Sequence, residues 1–161
     1  MQPPPFESCR VHVEERHPGT KLILSGSIDE RAKLEPFADS PPPLTIDLAG
    51  VVFVNSVGLR EWIHFLRAAR SRGPVTLTRC SDRMVMQLNM VADAVEGATV
   101  ESFLAPYGCE ACDHEESVEL NVRQDFPLGR RSPIPARSCP RCGHAMKLAE
   151  SASRYLLFLG D

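Results

Sequence analysis

IDLAGVVFVNSVGLREW, Ile46 to Trp62, passes from one hydrophobic rhythm to another within seventeen residues. LTIDL (Leu44 to Leu48) and GVVFV read as strand. From Ser56 the spacing of apolar side chains changes from two to about 3.6, the period of a helix. Leu59, Trp62, Ile63, Leu66 and Ala69 form one stripe, and Gly73-Pro74 ends it. At the joint stand Asn55 and Ser56, with Gly58 two residues on. A strand that hands over directly to an amphipathic helix is the unit of a layered α/β fold.

The same alternation extends outward in both directions. RVHVEE and KLILSGSI, separated by HPGT, predict a hairpin. DERAKLEPFADS predicts a short helix with Asp29 as its cap. VTLTR predicts a strand, SDRMVMQLNMVADAV a helix capped by Ser81 or Asp82, and ATVESFL a closing strand. Flexible thioethers at Met84, Met86 and Met90 suit an adaptable interface, but most mid-helix methionines are core, and Met84 reads as core. The expectation is a mixed sheet with helices packed on it.

The chain has 161 residues, 43% hydrophobic, enough for one core and a small stapled module. A net charge of -3 argues against bulk nucleic-acid binding. MQPPPFESCRVHVEE has neither the basic nor the apolar part of a secretion signal, and no apolar run reaches membrane-spanning length. The expected location is the cytoplasm, where paired cysteines more often hold metal than form disulfides.

LSGSID (Leu24 to Asp29) and IDLAGVVFVNSVGL (Ile46 to Leu59), with the order of elements, resemble the STAS domain of anti-sigma factor antagonists. The resemblance spans about Val11 to Leu104. It implies a protein partner: an anti-sigma factor or related serine-kinase-type ATPase, or a subunit of a larger assembly. It also implies that Ser56 is the phosphoacceptor candidate. Asp29, Asn55, Ser56, Val57 and Gly58 would meet the partner, with Asp29 at an acidic position near the phosphoacceptor. Two positions depart from the family pattern: Asn55 replaces the usual acidic residue, and Val57 a small or hydroxylated one. Asn and Ser are also good helix caps in their own right, so both readings of the joint stay open.

Six cysteines are placed unevenly. Cys9 and Cys80 stand alone; Cys80, at a strand end, reads as a quiet, partly buried cysteine rather than a reactive thiol. CEAC (Cys109, Cys112) and CPRC (Cys139, Cys142) have the spacing of metal knuckles, in which a tight turn brings two sulfurs to one ion. His114 and His144 are alternative donors, better read as neighbours of the knuckles. The expected module is a zinc ribbon binding one structural Zn2+ through Cys109, Cys112, Cys139 and Cys142. SVELNV, AMKLAE and RYLLFLG would supply its short strands. The arm VRQDFPLGRRSPIPARSCPR, running from the long insertion into the second knuckle, carries Arg123, Arg130, Arg131, Arg137 and Arg141, a possible but secondary nucleic-acid contact. The expected division is residues 1–106 as a STAS-like domain and 107–161 as the ribbon. No hydrolase triad, paired-carboxylate cleft or phosphate loop is visible, so an enzyme is not expected.

Overall fold

The computed structural model describes residues 7–161. Residues 1–6, which open the expected 1–106 domain and belong to the stretch read for a secretion signal, lie outside the described residues. The fold is mixed α/β. Strands β1 (Arg10–Glu15), β2 (Thr20–Ile28), β3 (Leu44–Val54), β4 (Val75–Thr78) and β5 (Thr99–Val100) form one sheet in that order. β1 is antiparallel to β2, as the hairpin reading required, and the remaining pairs are parallel.

The sheet's two faces follow from the period of two along each strand. Leu22, Ile46 and Leu77 stand side by side in register, and all are fully buried. Helix α1 (Ser56–Arg72) lays Trp62, Phe65, Leu66 and Ala69 over this core. Helix α2 (Asp82–Met90) adds Met84, Val85 and Leu88, and Ser81 caps it by accepting from the Met84 N–H. The indole N–H of Trp62 donates to the Ala94 carbonyl at 2.8 Å, so the buried ring carries no orphan donor. On the other face Lys21, Thr45, Asp47, Thr78 and Arg79 line an open polar cleft of about 360 Å³. Asp47 is buried there, accepting from the Ala49 N–H and paired with Arg79 at 3.2 Å.

The second sheet runs in the order β7-β6-β9-β8, from β6 (Ser102–Gly108), β7 (Glu115–Asn121), β8 (Arg137–Ser138) and β9 (Ala145–Leu148). All its pairings are antiparallel. Short helices α3 (Val122–Asp125) and α4 (Ala152–Tyr155) complete it. Phe103 on β6 packs its ring against Phe126, Tyr155 and Phe158 at centroid distances of 5.0–6.3 Å.

Four expectations need correction. The helix predicted from Asp29 is a turn followed by a 3-10 helix, Glu35–Asp39. Pro36 has no N–H for a helical bond to Ala32, which an α-helix across this segment requires. The helix after Ser81 stops at Met90, where Val91 turns extended, and Ala92–Ala94 is a separate 3-10 turn. ATVESFL is two strands that break at Glu101: Val100 ends the first sheet and Ser102 starts the second. β6 therefore crosses the expected 106/107 boundary without a linker. RYLLFLG is α4 plus a 3-10 turn, Leu157–Leu159, rather than a strand. Asn89 of α2 holds this segment, donating to the Tyr155 carbonyl and accepting from the Phe158 N–H. A continuous apolar run fits helix or strand equally, and here packing on α2 decides.

Candidate metal centre and helix-start surface

The two knuckles share one backbone pattern. In the first, the Cys109 N–H donates to the His114 carbonyl at 2.8 Å and the Asp113 N–H to the Cys109 carbonyl at 2.9 Å. In the second, Cys139 donates to His144 at 2.7 Å and Gly143 to Cys139 at 2.9 Å. The fifth residue of each turn is left-handed, with φ of 60° at Asp113 and 77° at Gly143. Glycine takes that conformation without steric cost, and aspartate is among the residues that tolerate it. CEACDH and CPRCGH are thus one motif used twice, and the common histidine was the sequence signal for it. Each histidine closes its turn through its backbone oxygen.

The four sulfurs lie within 4.8 Å of one another. Cys109 and Cys142 approach to 3.5 Å, and Cys112 and Cys139 to 3.6 Å. Thiolates about 2.3 Å from a tetrahedral ion stand about 3.8 Å apart. The cluster therefore fits a metal ion, with two ligands from each knuckle. His144 places Nδ1 3.3 Å from the Cys142 sulfur, while His114 turns its ring to Glu116. Neither histidine belongs to the cluster of four. Burial pushes the Cys139 thiol up, but the N–H groups of Cys142 and Arg141 and the thiols of Cys112 and Cys142 outweigh it and bring it down to about 6. For Cys142 the His144 N–H acts downward, yet burial and the three neighbouring sulfurs push it up to about 12. A bound cation would let all four ionise and tie β6 to β9.

The second site lies at the start of α1. Asn55 caps the helix with Oδ1, which accepts from the Gly58 N–H at 2.8 Å, and its Nδ2 donates to Glu30 at 2.9 Å. Gly58 is buried against the end of β2. A Cβ built there would stand 1.8 Å from the Ile28 carbonyl oxygen and 2.6 Å from the Asp29 nitrogen. Ser56 and Val57, beside Gly58, are on the exposed side. Asp29 is buried and does not cap a helix. It accepts from the Arg31 backbone N–H and pairs with the Arg31 guanidinium at 2.6 Å. That side-chain hydrogen bond holds its carboxyl below the usual aspartate range, against the opposing effect of desolvation.

Comparison of the chain with family models, with curated proteins and with solved structures finds no match. Among the described residues, no helix is long and apolar enough to cross a membrane. Of the arginines in the arm, Arg130 is paired with Asp161 and Arg137 with Glu116, both at 2.8 Å. Arg123, Arg131 and Arg141 are exposed on three different segments. Burial pushes the Cys80 thiol up to about 12, consistent with a core residue. Met84 is fully buried, whereas Met86 and Met90 are exposed.

Proposed function

We propose that the chain is a non-catalytic regulatory module whose STAS-like part binds a protein partner over the start of α1, with Ser56 as the switch. The observation that carries the reading is the exposed hydroxyl of Ser56 on the first turn of a seventeen-residue helix already seated and capped by its neighbours. Phosphorylation there adds close to two negative charges. The free N–H groups and positive end of the helix tolerate them locally. A partner covering Ser56 and the half-exposed Val57 would meet both charge and a desolvation cost. Binding can then switch while the fold stays as it is.

The ribbon part, in this reading, carries one structural Zn2+. Four thiolates suit zinc and close its coordination sphere, leaving no position for substrate. The partner is an anti-sigma factor or related serine-kinase-type ATPase. A second reading, a permanently bound adaptor subunit, draws support from Asn55: it completes the helix cap by itself and puts no carboxylate directly before Ser56.

The test is affinity capture from the source cell with wild-type, Ser56→Ala and Ser56→Asp baits, with mass spectrometry of the captured chain. The switch predicts a partner held by wild type and Ser56→Ala, lost by Ser56→Asp, and phosphate on Ser56. A partner held equally by all three baits, with Ser56 never modified, establishes the adaptor instead.

A further inference from the structure

We propose that the outer edge of β1 pairs with the same strand of a second copy of this chain, joining two five-stranded sheets into one. This surface is separate from the start of α1, and the inference does not depend on the function proposed above. Among the described residues, β1 closes one end of its sheet and bonds only to β2, in unbroken register from Arg10 to Glu15. Six residues without proline or bulge leave a row of main-chain groups facing outward, a template for another strand. Arg16 donates its N–H to Gly19 across the hairpin. Alternation along the strand then turns the N–H and C=O groups of Val11, Val13 and Glu15 away from β2.

The side chains say which strand fits. Val11 and Val13 stand opposite Leu24 and Leu22 on the core side, and Val13 is 43% exposed at the edge of the sheet. Arg10, His12 and Glu14 occupy the other face. Antiparallel pairing about a two-fold axis at His12 sets Arg10 against Glu14 of the second copy, twice, and Val11 against Val13, twice. These pairs share a face and match, Arg10 with Glu14 in charge and Val11 with Val13 in apolar character. Moving the axis to Val13 would instead oppose Val11 to Glu15 and Arg10 to Arg16. Within one chain Arg10 also meets Glu7, and Glu14 meets Arg16, in exposed ion pairs of little worth that a second strand can share. β7, at the edge of the other sheet, offers no such match: it carries Glu115, Glu116 and Glu119 with no cation.

Sedimentation of the full chain over a wide range of concentration tests the pairing. The expected result is a reversible monomer–dimer equilibrium. Glu14→Arg weakens it about tenfold by setting like charges opposite each other at two symmetric places, and adding Arg10→Glu restores it. His12→Cys, at the exposed central pair where opposed backbones come closest, forms an interchain 12–12 disulfide with oxidised glutathione. A chain that stays monomeric at several hundred micromolar overturns the proposal. So does a dimer in which the double charge swap fails to rescue Glu14→Arg, or in which His12→Cys gives no 12–12 link.

Discussion

Replacing Gly58 by alanine sets two effects of opposite sign against each other. In a helix, alanine is favoured over glycine by about 1 kcal/mol, so propensity alone predicts a more stable protein. The structure predicts the reverse. The new methyl carbon would lie 1.8 Å from the Ile28 oxygen and 2.2 Å from its carbonyl carbon, and both belong to backbone. To restore ordinary contact, helix and strand must part by about 1.6 Å, and no flexible side chain is available to give way. Overpacking costs about 1–3 kcal/mol where neighbours can adjust, and a rigid strand end puts this site at or above the upper end. After the propensity gain, the net loss is about 2 kcal/mol, equivalent to a fall of about 4–8 °C in melting temperature for a chain of this size. Trp62 is the chain's single tryptophan, fully buried one turn further along the same helix. Its fluorescence therefore follows both the seating of α1 and the melting transition. If Gly58→Ala melts at or above the wild-type temperature with unchanged Trp62 emission, the close-approach argument is wrong.

Elemental analysis should find one metal ion per chain, and Cys139→Ser should lower that content sharply. Stripping the metal with a chelator should speed amide exchange through β6–β9 before β2–β4; equal protection with and without metal would refute a folding role. Asn89→Ala removes both side-chain bonds to the C-terminal segment, at a cost of about 1–2 kcal/mol. Faster exchange confined to residues 152–159 is the expected signature, and unchanged exchange there would count against the clasp. Arg31 lowers the pKa of Asp29, so this pair stabilises the fold above the unfolded aspartate value of about 4 and loses its contribution as pH falls through the lower, folded value. Urea midpoints at pH 7 and pH 3 should therefore differ less in Asp29→Asn than in wild type, and parallel behaviour would reject the assignment.

Where two signals agreed, the architecture could be read from residues alone. The hairpin, the long β3 and the helix from Ser56 combine a clear period with turn or stop residues, and each stands where it was expected. The cysteine pairs were legible because two residues between thiols already impose a tight turn. The errors came where one signal stood alone. Asp29 is a good cap, but the lost amide of Pro36 forbids the helix it would have started. RYLLFLG has no period, and only contact with Asn89 and Phe103 makes it helical. The break at Glu101 left no mark in ATVESFL, because both pieces have strand composition. At Ser56 sequence and structure agree on place and exposure, and chemistry there awaits a partner.

The uninterrupted course of β6 bears on how this molecule can be dissected. Cutting after residue 106 would not release an autonomous N-terminal half; it would amputate the last two residues of a strand and strip Phe103 of the three rings that shelter it. The fragment would carry a greasy scar beside α2 and tend to aggregate. Biochemical work on either half is better served by point substitutions in the intact polypeptide than by scissors.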